Sequence, residues 1–169
     1  MDMNVSQLLR EPIGSTREYD IDEDIDIGGD KTTTNRIKGT CSLLRTQRSI
    51  LVQCNLASEA ECTCSRCLST FKQPVRFKFN EEFFPAVDIQ TGVMLPPPEE
   101  SNAFTIDEQH TLDLTEAIRQ YFLLAVPMKP LCKKDCAGLC AQCGKNLNQG
   151  KCDCTTEIDP RWSKLAGLQ

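Results

Sequence analysis

Residues 130–154 read PLCKKDCAGLCAQCGKNLNQGKCDC and contain six of the eleven cysteines of the chain. Most neighbouring cysteines in this stretch are separated by three, two or one residues, so several thiolates can reach a single tetrahedral ion. The tightest turn is Cys140-Ala141-Gln142-Cys143-Gly144, in which Gly144 can adopt the positive φ that turns backbone N–H groups toward the sulfurs. The pattern predicts a structural metal site, and zinc is the ion that such sites favour.

A second cysteine pair lies far upstream, in Cys64-Ser65-Arg66-Cys67. Two cysteines cannot complete a structural zinc site, so the missing ligands must come from a distant part of the chain. The number of cysteines suggests two sites. The predicted ligand sets are Cys64, Cys67, Cys132 and Cys136 for one ion, and Cys140, Cys143, Cys152 and Cys154 for the other. Alternatively, a single zinc ion takes four cysteines of the tail, and Cys64 and Cys67 are small buried hydrophobic residues. The predicted cofactor is therefore one or two structural zinc ions.

Two other uses of the cysteines are open, a disulfide framework and thiol redox chemistry at Cys64 and Cys67. Disulfides are favoured in small secreted proteins, but the N-terminal sequence MDMNVSQLLREPIG lacks the charged start and apolar run of a signal peptide. We therefore expect a reducing, cytoplasmic compartment, where paired cysteines are more often metal or redox sites. Cys41, Cys54 and Cys62 have no metal-binding spacing and are predicted to be ordinary strand residues.

The length and composition indicate one folded domain with a small appendage. The 169 residues are 40% hydrophobic, which is enough to fill a core. No apolar run approaches the ~18 residues that a membrane helix needs, so we expect no membrane span. The predicted division is a β-rich core over residues 1–129 and a Cys-rich zinc-binding tail over residues 130–169 that packs on this core.

The core is predicted to consist mainly of antiparallel strands. Residues 17–27 alternate apolar with acidic side chains, which indicates a half-buried strand. Further strands are predicted over residues 37–44, 50–62 and 75–79. Short loops between these segments favour hairpins, and therefore a meander or a partly open barrel.

One long helix is predicted over residues 113–126, after a polar, proline-broken segment at 85–104 in which no core can form. Asp113 is the predicted N-cap and Glu116 its capping-box partner, and Pro127 ends the helix. An apolar stripe along the helix predicts packing against the sheet. The predicted fold class is α+β, with antiparallel strands, this helix and a C-terminal zinc-binding element.

The net charge of −5 is distributed unevenly along the chain. Residues 1–30 and 81–116 each contain nine acids, whereas residues 31–78 contain nine Lys or Arg and two Glu. Two interpretations are open. Either the basic strands form ion pairs with the acidic segments, or they present a basic face to phosphate groups.

Three cations are the predicted contacts to RNA or to a protein partner. Arg76 and Lys78 share one face of a predicted strand, opposite Phe77 and Phe79, and so remain in water. Arg66 lies within the upstream cysteine pair, where metal ligands on either side would fix its backbone.

No catalytic arrangement is recognisable in the sequence. The single histidine, His110, lies in a polar segment and is predicted to be exposed, and no nucleophile elbow, phosphate loop or HExxH pattern occurs. A metal ion held by four cysteines has no open position for water. We therefore expect no enzymatic activity and no small-molecule substrate.

Several motifs together carry a resemblance that covers nearly the whole chain. They are Val5-Ser6-Gln7-Leu8-Leu9, Pro12-Ile13-Gly14-Ser15, Cys64-Ser65-Arg66-Cys67-Leu68, Leu124-Ala125-Val126-Pro127, and the tail from Pro130 to Cys154 followed by Asp159-Pro160-Arg161. With these motifs the chain resembles the YceD family, whose members are called large ribosomal RNA subunit accumulation proteins and occur in bacteria and chloroplasts. The resemblance implies a non-enzymatic factor needed for accumulation or processing of 23S ribosomal RNA, and hence for large-subunit assembly. Its implied partner is ribosomal RNA or an assembling large-subunit protein.

The chain departs from the family pattern at Ala141, where the family often has proline, a change that affects rigidity rather than metal ligands. Some members keep the upstream CxRC motif and have lost most tail cysteines, which implies that the second metal site is dispensable to the shared function. The alternative function is that of a thiol redox protein using Cys64 and Cys67.

Overall fold

A computed structural model describes residues 1–27, 34–98, 103–154 and 161. Asp159 and Pro160, which contribute to the family resemblance, lie outside the described residues.

The chain divides into two compact units. The first unit comprises Met1–Glu61 and Lys72–Met128, and the second comprises Cys62–Phe71 and Lys129–Gln169. The second unit therefore combines a short internal segment with the cysteine-rich tail. The predicted packing of residues 130–169 on a core of residues 1–129 stays a prediction.

Seven strands form one sheet in the order β1-β7-β6-β5-β4-β3-β2. The strands are β1 (Asp2–Asn4), β2 (Thr16–Asp26), β3 (Thr34–Arg45), β4 (Ile50–Thr63), β5 (Thr70–Pro85), β6 (Phe104–Ile106) and β7 (Thr111–Asp113). Strands β2 to β5 are neighbours in both sequence and sheet, so the predicted meander and the α+β class are confirmed. Strand β6 pairs with β5 in parallel, which requires the longer connection that residues 86–103 supply.

Alternation of side chains places the core on one face of the sheet. Ile50, Val52 and Leu56 of β4 are at most 1% exposed, as their spacing of two residues predicts. Strand β5 is much longer than the predicted 75–79. It runs from Thr70 to Pro85 and continues through Pro74, although proline lacks a backbone donor.

Gly39 permits the close approach of β3 and β4. It has a φ of 151°, and a Cβ atom at this position would lie 2.1 Å from the backbone oxygen of Asn55. Any larger residue would therefore push the two strands apart.

The fold has two helices among the described residues, α1 (Ser6–Arg10) and α2 (Thr115–Ala125). Helix α2 packs on the sheet as predicted. The rings of Phe122 and Phe77 meet edge to face with centroids 6.0 Å apart, and the rings of Tyr121 and Phe79 stack with centroids 4.9 Å apart. Neither helix is long and apolar enough to cross a membrane.

The predicted cap of α2 is wrong in detail. The N-cap is Leu114, and Asp113 belongs to β7, where it pairs with Asp2 of β1. The Asp113 carboxylate nevertheless accepts the backbone N–H of Thr115 at 2.9 Å. Glu116 does not complete a capping box, because its carboxylate binds the guanidinium of Arg119 at 2.8 Å.

The segment predicted to be irregular, 85–104, contains a local turn. The Asp88 carboxylate accepts the backbone N–H groups of Gln90 and Thr91 at 3.0 and 2.8 Å, and Val87 forms a bridge with Met94. These polar contacts hold residues 87–94 in a turn that is built without buried side chains of its own.

His110 is less exposed than predicted. It has a φ of 60°, and its Nδ1 is buried without a hydrogen-bond partner in the described part of the chain. Its carbonyl accepts the N–H of Val5 at 2.9 Å, which holds the residue against the N-terminal segment.

Cys41 and Cys54 lie in strands as predicted, but they are joined by a disulfide that the sequence did not suggest. They stand directly opposite each other on β3 and β4, with Cα atoms 4.1 Å apart. This register brings the two sulfurs together. Cys62 is buried and free, and burial raises the pKa of its thiol.

Candidate metal centres

The second unit contains two groups of four cysteines, each with Sγ atoms that all lie within 4.8 Å of one another. We call them the buried cluster (Cys64, Cys67, Cys132 and Cys136) and the exposed cluster (Cys140, Cys143, Cys152 and Cys154). These are the two sets that the sequence predicted. No other group of this kind occurs among the described residues.

The buried cluster joins residues that are distant in sequence. The Sγ atom of Cys64 lies 3.8 Å from that of Cys136, and the Sγ atom of Cys67 lies 3.6 Å from that of Cys132. Cys64, Cys67 and Cys136 are at most 5% exposed. Because Phe71, Leu131 and Leu139 pack around these sulfurs, water is largely excluded from the cluster.

A tight turn of the backbone holds the upstream pair. The N–H of Leu68 donates to the carbonyl of Cys64 at 3.0 Å, and the N–H of Cys64 donates to the carbonyl of Ser69 at 2.9 Å. The N–H of Ser65 also donates to the carbonyl of Pro130 at 2.9 Å, which fixes the turn to the start of the tail.

The thiols of the buried cluster differ strongly in acidity. Backbone N–H groups, first that of Cys132 and then that of Cys67, lower the pKa of Cys64 to about 6. Burial, followed by the neighbouring Cys67 thiol, raises the pKa of Cys132 to about 12. A cation bound among the four sulfurs would offset the mutual repulsion of thiolates at these distances.

Asn148 supports the buried cluster, and its role was missed in the sequence. Its amide Nδ2 donates to the Cys136 Sγ at 3.2 Å, while its Oδ1 accepts the N–H of Ala137 at 3.0 Å. Asparagine in a loop suggests only a turn, and its contact with a ligand sulfur depends on the tertiary structure.

The exposed cluster contains a turn of the same kind. The N–H of Gly144 donates to the carbonyl of Cys140, and the N–H of Cys140 donates to the carbonyl of Lys145, both at 2.9 Å. Gly144 has a φ of 71°, which confirms the predicted positive φ. The backbone N–H groups of Cys143 and then Gln142 lower the pKa of Cys140 to about 6.

Both clusters fit a soft, tetrahedral metal ion. Four sulfurs within reach of one point are the donor set of structural zinc, and of iron bound by sulfur. Each turn directs backbone N–H groups at one sulfur, which stabilises the thiolate that a metal ion requires. With all four positions taken by protein, neither site would leave room for a substrate.

The three predicted RNA contacts fall in different surroundings. Arg66 is exposed, but its Nη1 donates to the carbonyl of Cys136 at 3.0 Å, so it also braces the buried cluster. Arg76 and Lys78 are exposed on β5, and in the described part of the chain neither forms an ion pair. By contrast, Arg36 pairs with Asp22 at 2.6 Å.

The basic strands contain both paired and unpaired cations, so the first interpretation holds for part of the pattern and the basic face for phosphate groups stays a prediction. Lys38 and Lys72 are paired with Asp22 and Glu59, each at 3.6 Å. Asp22 of β2 thus pairs with Arg36 and Lys38 of β3, whereas Arg76 and Lys78 of β5 form no ion pair among the described residues.

The fold and the two cysteine clusters define a strand-rich α+β protein with two candidate four-cysteine metal sites. The model of the family described as "Large ribosomal RNA subunit accumulation protein YceD" matches residues 52–169. The chain belongs to this family, as its motifs indicated.

Its relatives occur in bacteria and in a plant. Uncharacterized proteins of Mycobacterium bovis and Mycobacterium tuberculosis are 35% identical over 122 residues, which are 70% of this chain and 55% of each relative. The Arabidopsis thaliana protein named "Large ribosomal RNA subunit accumulation protein YCED homolog 1, chloroplastic" is 38% identical over 63 residues, covering 37% of this chain and 20% of that protein. The chain spans about half the length of the mycobacterial relatives it matches. No solved structure matches the chain.

Proposed function

We propose that the protein is a non-enzymatic factor of ribosome assembly, needed in the cytoplasm for accumulation or processing of 23S ribosomal RNA. The observation that carries this proposal is the family match over residues 52–169, because the family is described by large ribosomal RNA subunit accumulation. In this function two structural zinc ions hold the second unit, and the unpaired cations of β5 contact ribosomal RNA.

The geometry of the cysteines supports zinc over thiol redox chemistry. A redox-active cysteine needs a thiolate that a substrate can reach, but Cys64 is 0% exposed and Cys67 is 5% exposed. Both instead face a second pair of cysteines at van der Waals distance, as metal ligands do. Structural zinc stabilises finger peptides by roughly 10–16 kcal/mol at neutral pH, so its loss would unfold a unit this small.

Strand β5 offers the cations best suited to phosphate. Arg76 and Lys78 are two residues apart and therefore extend from the same face of the strand, opposite Phe77 and Phe79. Since neither forms an ion pair with an acid in the described part of the chain, contact with a phosphate would not first break such a pair.

The test uses cells that lack the chromosomal gene and carry a plasmid-borne copy. We expect the unaltered protein to restore the large-subunit peak and the 23S RNA level, to co-sediment with large-subunit particles, and to contain two zinc ions per chain. A metal-free folded protein with a reversible Cys64–Cys67 disulfide would support the redox function instead. An unchanged ribosome profile in the deletion strain would refute the role in assembly.

A matched pair of variants tests the β5 contact. Arg76→Gln with Lys78→Gln removes two unpaired cations, and Arg36→Gln with Lys38→Gln removes two cations that are already paired with Asp22. We expect only the first variant to weaken binding to 23S RNA and to reduce the slope of log affinity against log salt, by about one for each contact. Equal effects of the two variants would exclude a specific contact on β5.

A further inference from the structure

The two cysteine turns of the second unit share one backbone conformation. In each turn the residue after the second cysteine donates its N–H to the carbonyl of the first cysteine, at 3.0 Å for Leu68 and 2.9 Å for Gly144. Both residues have positive φ, 57° for Leu68 and 71° for Gly144. Leu68 therefore occupies the position that glycine occupies in the other turn.

Leucine is an unfavourable residue at this position. The left-handed conformation brings its Cβ close to the backbone and costs roughly 1–2 kcal/mol, whereas glycine adopts it freely. The side chain gains little in return, because it is 63% exposed. Among the described residues of the second unit, Leu68 is the large hydrophobic side chain that remains exposed. The fold of the described residues therefore gains little from leucine at this position.

The surroundings of Leu68 make it a rigid projection. The buried cluster fixes both ends of its turn, and the N–H of Leu139 donates to the carbonyl of Arg66 at 3.2 Å. The Arg66 guanidinium is held by the carbonyl of Cys136, and its other N–H groups have no partner among the described residues. A fixed apolar side chain two residues from a fixed cation is a combination that interfaces use as an anchor.

We propose that Leu68 is the anchor of a protein interface, and that it enters an apolar pocket bordered by a carboxylate that pairs with Arg66. A protein is the occupant because the leucine side chain has no donor, acceptor or π-face. Single-stranded RNA bases stack on aromatic rings or guanidinium planes, and phosphates bind cations, so neither gains much from an aliphatic side chain. The proposal rests on the proposed function, because the pocket is sought on a protein of the assembling large subunit.

The test compares Leu68→Gly, Leu68→Met and the unaltered full-length, zinc-loaded protein. We expect Leu68→Gly to keep its zinc and to melt at the same or a higher temperature, because glycine suits the turn. Its affinity for purified large-subunit precursor particles should nevertheless fall by about tenfold or more, the effect of leaving one leucine out of a pocket. Leu68→Met should bind nearly as well as the unaltered protein, and Ile13→Ala, a change at a residue that is 64% exposed in the first unit, should have no effect.

A photoreactive diazirine amino acid at position 68 identifies the partner, with the same group at position 13 as the control. We expect a cross-link from position 68 to a large-subunit protein, and cleavage of that protein should place the site beside an Asp or Glu. Cross-links to RNA alone, or undiminished binding of Leu68→Gly, would overturn the leucine contact and leave the proposed function standing. Failure of the unaltered protein to bind the particles would overturn both.

Discussion

The sulfur atoms of Cys67 and Cys132 lie 3.6 Å apart, although 65 positions separate the two residues in the chain. The turn between β4 and β5 and the start of the tail therefore depend on each other. Loss of either cysteine pair would leave a metal ion at this site with only two of its four ligands.

This dependence predicts a long-range effect of Cys132→Ser. The variant should lose one zinc ion per chain, and amide protection should fall at Cys64, Ser65 and Leu68 as well as around position 132. Cys143→Ser is the control, since it should also lose one zinc ion but leave the protection of these amides unchanged. Elemental analysis and hydrogen exchange provide the two measurements. Intact protection in Cys132→Ser would show that the turn is stable without the ion.

With zinc bound in both clusters, as we propose, their difference in burial predicts release at different rates. Cys143 and Cys154 are exposed, whereas Cys64, Cys67 and Cys136 are buried. A chromogenic chelator should therefore remove one equivalent of zinc quickly and the second only slowly, as the unit opens. Cys143→Ser should abolish the fast phase and Cys67→Ser the slow phase. Release of both zinc equivalents in a single kinetic phase would contradict the assignment of the fast phase to the exposed cluster and the slow phase to the buried cluster.

Gly39→Ala should destabilise the sheet strongly. The added Cβ would meet the Asn55 oxygen at 2.1 Å, and overpacking of this kind typically costs about 1–3 kcal/mol or more. Gly92→Ala is the matched control, because Gly92 also has positive φ but has no atom within 4 Å of the added Cβ. Gly92→Ala should lower the free energy of unfolding by about 1–2 kcal/mol, from backbone strain alone. Urea denaturation compares the two, and equal losses would show that β3 and β4 separate easily at this point.

The cysteines should titrate unequally with and without reductant. The structure has nine free cysteines among its described residues, and Cys41 and Cys54 form a disulfide. Protein purified without reductant, then denatured and stripped of metal, should show nine reactive thiols, and all eleven cysteines should react after reduction. Eleven reactive thiols in the unreduced sample would mean that the two cysteines face each other as free thiols.

Glu116 should contribute to the acid stability of the first unit. The Arg119 guanidinium, followed by the Gln120 amide, lowers the pKa of the Glu116 carboxyl to about 2. Because the folded state lowers this pKa, the stabilisation is full above the ordinary value near 4.5 and is lost as the pH falls toward 2. Glu116→Gln should therefore lack this part of the pH dependence of the urea midpoint. Glu108→Gln, which removes an exposed carboxylate, is the control, and identical profiles would exclude a role for the Arg119 pair.

Local patterns allowed much of this structure to be predicted. Alternation identified β4 correctly, since burial on one face of a strand repeats every two residues whatever lies opposite. The exposed cluster was also identified from a local signal, the close spacing of its cysteines along the chain. The buried cluster was predicted only by counting ligands, because nothing in the sequence around Cys64 indicates which distant cysteines complete its set.

Features that depend on strand register or on tertiary contacts were not predicted. The disulfide requires Cys41 to stand opposite Cys54, and a shift of one residue would move these side chains to opposite faces. The cap of α2 was misplaced because pairing of β7 with β1 extends the strand through Asp113. The positive φ of Leu68 could not be predicted from the sequence, because leucine rarely adopts this conformation.

The distance in sequence between the halves of the buried cluster also sets an order of events during synthesis. At about 5–20 residues per second, Cys67 leaves the ribosome roughly 3–13 s before Cys132. During that interval Cys64 and Cys67 can neither complete a four-cysteine site nor be buried by the tail. Cys64 and Cys67 therefore remain without their partner cysteines until Cys132 and Cys136 have been made, and an ion bound by this cluster would join the two segments late rather than nucleate folding.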